Sequence, residues 1–166
     1  MVGEKLKKIF MIGLGGTIDS ANIEVHDMQF VSSETLEGTF DILKERWYGD
    51  ILHIDSYTEL KYINGYQIDL DKQTDQTLYM VVYGGYQENQ IDEVHRYDFI
   101  LEDNLVEAKK VAKKNMSNYQ YIDHIDAVVD VFQNIGETFG FNKGDYLLKD
   151  NITTHTYIEL ITKKNK

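Results

Sequence analysis

The chain repeats itself, and no other feature constrains its fold as strongly. Phe10-Met11-Ile12-Gly13-Leu14-Gly15-Gly16 returns 69 residues later as Tyr79-Met80-Val81-Val82-Tyr83-Gly84-Gly85. The same offset carries Glu24-Val25-His26 onto Glu93-Val94-His95, Phe30-Val31 onto Phe99-Ile100 and Leu36 onto Leu105. His53-Ile54-Asp55 returns as His124-Ile125-Asp126 at an offset of 71, which asks for a two-residue insertion after the intervening helix. Four of the five histidines fall in matched pairs. We therefore expect two tandem repeats, 1–76 and 77–166, the second carrying an extra C-terminal strand. A unit of about 80 residues buries too little surface for a generous core of its own. The two are expected to pack as one compact unit about a pseudo-twofold axis.

Each repeat reads as strand, strand, helix, strand, strand. The first strand ends in a glycine pair, which suits a sharp turn or a close backbone approach. A second strand is expected over Ile23 to Val31 and over Val94 to Leu101. The two-residue period puts Glu24, His26, Met28 and Phe30 on one face. Leu36, Phe40, Leu43 and Trp47 then follow at helical spacing, as do Leu105, Ala108, Ala112 and Met116 in the second repeat. Asn104 with Glu107 forms a variant of the capping box. Asn64-Gly65 between Tyr57–Ile63 and Tyr66–Leu70 predicts a hairpin with a primed turn. Ile135-Gly136 predicts a looser hairpin in the second repeat, and Thr153 to Thr162 a last strand before a basic tail. The fold class is α+β, a two-layer arrangement of antiparallel sheet with helices on one side.

Composition removes whole classes of function. With no cysteine among 166 residues, disulfides, thiolate zinc sites, iron–sulfur clusters and cysteine nucleophiles are excluded. A net charge of −11 opposes binding to phosphate backbones and anionic membranes, so neither nucleic acid nor membrane is an expected partner. No apolar run reaches the ~20 residues of a membrane-spanning helix. Lys5, Lys7 and Lys8 before the apolar run Ile9 to Leu14 imitate a short signal peptide. Its copy at mid-chain must belong to the fold, however, so this run is read as a strand and the protein as cytoplasmic.

Leu14-Gly15-Gly16, Asn22-Ile23-Glu24-Val25-His26-Asp27 with Phe30, Trp47-Tyr48-Gly49-Asp50 and His53-Ile54-Asp55-Ser56-Tyr57 together resemble the bacterial family catalogued as domain of unknown function 1543. The resemblance spans most of the first repeat and returns, weaker, in the second, which implies two tandem copies. The second copy lacks the Trp47–Asp50 segment and the surroundings of Asn22. A site needing those residues would exist once. The resemblance implies no activity, cofactor or catalytic residue.

The chemistry-bearing candidates are Glu24, His26, His53 and Asp55, and their counterparts Glu93, His95, His124 and Asp126. Residues two apart on a strand share a face, so each Glu-x-His and His-x-Asp pair presents two ligand groups together. Two such pairs meeting would suit a divalent metal or a carboxylate-tuned histidine. The competing reading is structural, because a buried histidine needs a hydrogen-bond partner and a nearby carboxylate supplies one. Gly13-Leu14-Gly15-Gly16-Thr17 lacks the following helix that a phosphate loop requires. Lys109, Lys110, Lys113 and Lys114 read as the solvated face of an amphipathic helix. No catalytic motif is complete. The expected function is therefore a small module binding a protein or a small molecule without catalysis, with no cofactor and no metal assigned. The alternative is a metal-dependent hydrolase or lyase built on the eight residues above. Twelve tyrosines are more than a small core needs and leave a homodimer open.

Overall fold

Alternation along two central strands sets the order of the layers. In the computed structural model, which describes residues 7–146 and 150–162, β1 (Lys8–Thr17) directs Ile9 and Met11 to one face and Phe10, Ile12 and Leu14 to the other. The strand β6 (Thr77–Tyr86) does the same with Leu78, Met80 and Val82 against Tyr79, Val81 and Tyr83. Ile9, Leu78 and Met80 share one core, joined by Phe30 and Leu60. Two sheets thus bury facing surfaces against each other. Helix α1 (Phe40–Arg46) contributes Leu43 to a second cluster, with Trp47 just beyond its end, on the other face of the first sheet. Helix α2 (Leu105–Asn115) contributes Ala108 and Ala112 to a third, on the other face of the second. The chain is α+β. The layers run helix, sheet, sheet, helix, where the sequence reading expected two layers, because both central strands are apolar on both faces.

In the first sheet β1 lies between β2 (Val25–Ser33) and β3 (Ile51–Leu60), and β10 (Thr153–Ile161) extends it beyond β3. In the second, β6 lies between β7 (Glu93–Glu102) and β8 (His124–Asp130). A third small sheet joins β4 (Tyr62–Ile63), β5 (Tyr66–Asp69) and β9 (Gly140–Lys143). Every pairing is antiparallel. The hairpin turn between β4 and β5 has positive φ at both Asn64 and Gly65, as a primed turn demands. Asn104 caps α2, its side chain accepting from the backbone N–H groups of Val106 and Glu107. Lys109, Lys110, Lys113 and Lys114 are exposed. Among the described residues no helix is long and apolar enough to cross a membrane.

Two expectations change. Of the two uses expected for the glycine pairs, the turn does not occur: β1 runs through Gly15 and Gly16, and β6 through Gly84 and Gly85, with none of the four at positive φ. Ile135-Gly136 is not a hairpin either. It ends the short helix α3 (Val131–Ile135), with Gly136 in the left-handed conformation and its N–H donating to the Phe132 carbonyl. A glycine after an apolar residue marks either structure, and the N-cap Asp130, accepting from Gln133 N–H, decides for the helix. The basic tail beyond residue 162 and Lys5 lie outside the described residues.

Candidate metal centres

Glycine at the middle of three strands lets two flanking histidines lean together. Gly15 of β1 pairs with His26 on β2 and with His53 on β3. Gly84 of β6 pairs with His95 on β7 and with His124 on β8. A Cβ at Gly15 would stand 2.5 Å from Asp55 Oδ2 and 2.6 Å from His53 Nε2. One at Gly84 would stand 2.5 Å from both Asp126 Oδ2 and His124 Nε2. Close approach, rather than freedom at positive φ, is why these positions carry glycine.

The aspartates are aimed by β-bulges. Gly13 faces Ser56 and Leu14 faces Ile54, which leaves Asp55 as an extra residue in β3. Val82 faces Ala127 and Tyr83 faces Ile125, which leaves Asp126 as the extra residue in β8. Bulges are a common means of redirecting a side chain beside a site.

All eight candidate residues take part in one cluster or the other. In the second cluster His124 Nε2 lies 2.8 Å from Glu93 Oε1 and 2.9 Å from Asp126 Oδ1, and His95 Nε2 lies 3.4 Å from Glu93 Oε2 and 3.3 Å from Asp126 Oδ2. In the first, His53 Nε2 is 3.1 Å from Asp55 and 3.7 Å from Glu24, while His26 Nε2 is 3.8 Å from Asp55. Glu93, His124 and Asp126 offer ligand atoms within 4.8 Å of one another. Burial, the premise of the structural-pairing reading, applies to His53, whose side chain is 2% exposed. It does not apply to His26, His95 and His124, at 65%, 42% and 40%.

Three further residues shape the clusters. Asp123 accepts a hydrogen bond from His124 Nδ1. That bond is the main reason the imidazole's pKa is raised; partial desolvation opposes it, and the charges of Asp126, Asp123 and Glu93 add to it. Tyr86 lies over the His124 ring with centroids 6.2 Å apart, and the Glu93 carboxylate is foremost among the groups that push its phenol upward. In the first cluster Tyr157 of β10 covers His53 at 4.5 Å between centroids. The Asp-His dipeptide at 123–124 carried a usable signal. Tyr157 carried none, since the ring it covers, His53, belongs to a strand far away in the sequence.

The fold and the clusters define an antiparallel-rich α+β protein with histidine and carboxylate gathered across paired strands. Residues 21–70, which span Glu24 to Asp55, match the family model described as Domain of Unknown Function (DUF1543), in one copy. The chain is also similar to the crystal structure of protein Il1583 from Idiomarina loihiensis, with a TM-score of 0.69 and 25% identity over 95% of this chain and 100% of that one. No functionally curated protein matches it.

Proposed function

We propose that this protein binds divalent transition-metal ions through clusters of two histidines and two carboxylates. The observation that carries the reading is the surroundings of His124 Nε2. Asp123 takes the proton at Nδ1, so the neutral ring turns its Nε2 lone pair toward Glu93 Oε1 and Asp126 Oδ1, both within 2.9 Å. Three electron-rich atoms that close repel one another unless a cation sits among them. Metal–ligand bonds of about 2.1 Å place neighbouring donors about 3.0 Å apart at right angles and about 3.4 Å apart in a tetrahedron. The four separations of 2.8, 2.9, 3.3 and 3.4 Å span that interval. Two imidazoles with two carboxylates suit zinc, manganese, iron or cobalt better than calcium. A net charge of −11 favours cation capture.

The reading includes two copies of one strand–strand–helix–strand unit, each with a cluster. Its support is the register: Gly15 and Gly84, the flanking histidine pairs and the bulges at Asp55 and Asp126 all correspond at the sequence offsets. Ser20 and Asn89, also 69 apart, both have positive φ.

The rival occupant of the second cluster is a proton on His124. Melting the chelator-treated, untagged protein with and without Zn²⁺, Mn²⁺ or Co²⁺ separates the two. A rise of several degrees with at least one of these ions is expected in wild type, together with stoichiometric metal by elemental analysis. Glu93→Gln and Asp126→Asn, whose carboxamides are poor ligands, should remove the share of it that the second cluster supplies. Wild type that binds none of these ions would leave the proton as the occupant and end the reading.

A further inference from the structure

Resting on the metal-binding reading, we infer that the two clusters are unequal: the one at Glu93, His95, His124 and Asp126 is the strong site, with Asp123 as its positioning residue, and the one at Glu24, His26, His53 and Asp55 is at least tenfold weaker. Three differences point the same way. The first is the proton on the ring. Asp123 holds Nδ1–H of His124 and leaves Nε2 free to coordinate. His53 Nδ1 is buried and has no hydrogen-bond partner, so its ring is best served by a proton on Nε2, where Asp55 Oδ1 accepts at 3.1 Å. That proton occupies the lone pair an ion would need. At the offset that carries His53 to His124, the place of Asp123 is taken by Leu52, which is fully buried in the apolar cluster beneath.

The second difference is spacing. The closest histidine–carboxylate separations in the first cluster are 3.1, 3.7 and 3.8 Å, and two of these exceed what neighbouring ligands of one ion show. The third is access. β10 pairs along β3 and lays Tyr157 on His53, which is 2% exposed, whereas β8 is the outer strand of its sheet and His124, with the Tyr86 ring farther off at 6.2 Å between centroids, stays 40% exposed.

Competition titration of the full chain with Co²⁺ against a chromophoric chelator tests this. Two classes are expected, at least tenfold apart in affinity. Asp123→Ala should weaken the strong class by roughly 10- to 100-fold and Asp123→Asn, which still accepts a hydrogen bond, by less. Neither should move the weak class. Asp123 is 68% exposed, so an unchanged circular dichroism spectrum will show that the variants fold. Nitrogen NMR of the metal-free protein should find the neutral His124 ring protonated at Nδ1 and the neutral His53 ring protonated at Nε2. Two equal classes, a strong class removed by Glu24→Gln rather than by Glu93→Gln, or indifference to Asp123→Ala would each overturn the inequality while leaving metal binding intact. Absence of any Co²⁺, Zn²⁺ or Mn²⁺ binding overturns both.

Discussion

At the scale of single residues, Gly84 separates binding from stability. An added methyl would meet Asp126 Oδ2, His124 Nε2 and Glu93 Oε1 at 2.5 to 2.6 Å, all of them tips of side chains that can swing away. Backbone strain does not enter, because Gly84 is not at positive φ, and alanine is no worse than glycine within a strand. Gly84→Ala should therefore change stability by less than about 1 kcal/mol in chemical denaturation. The displaced ligands should lower metal affinity at the second cluster by at least tenfold in the same Co²⁺ titration. An alanine variant that kept full affinity would show that the three tips do not converge on an ion. The two-residue period of a strand puts each Glu-x-His and His-x-Asp pair on one face, but their gathering into two clusters depends on β2 and β3 flanking β1, and β7 and β8 flanking β6, which the period does not record. The role of the glycines could not, since a missing Cβ serves a turn and a crowded site equally well and the sequence does not record which.

At the scale of elements, α1 is too short to persist alone and depends on what it covers. Leu43 and Trp47 bury against Phe10, Ile12 and Leu14 of β1 and Leu52 and Ile54 of β3. The Trp47 ring also lies close above Gly16, where a Cβ would stand 2.8 Å from Cζ2. Trp47 is 8% exposed, so Trp47→Ala should lower stability by about 3 to 5 kcal/mol in a denaturant titration. A loss below about 1 kcal/mol would mean that α1 contributes little to the fold. Helical periodicity made this stripe legible in advance. The short helix α3 was not legible, because its five residues cover little more than one turn and give periodicity nothing to act on. What defines it is a cap at each end, Asp130 and Gly136, and the second of these also fits a turn.

At the scale of the whole molecule, polar groups tie the two halves where the apolar core ends. Arg46 donates to the carbonyls of Phe30 and Asn134, and Asn134 Oδ1 accepts from the Phe30 N–H at 2.8 Å. These bonds join α1 and β2 to α3 across 104 residues of chain. Such long-range partners carry no local sequence signal. The scaffold is thus held by layers and ties that do not involve the clusters, and the bulges make that independence usable. Losing one residue from a strand ordinarily shifts its register and turns every later side chain to the wrong face. Asp126, however, is already surplus to its ladder: without it, Ile125 and Ala127 become consecutive opposite Tyr83 and Val82, as a regular strand requires. An in-frame deletion of Asp126 should leave a folded protein with a near-native circular dichroism spectrum and no strong Co²⁺ class, whereas deleting Val128 from the same strand should unfold it. One codon therefore stands between a chain that carries this centre and one that has shed it, and a lineage could cross that step in either direction while its fold stayed in place.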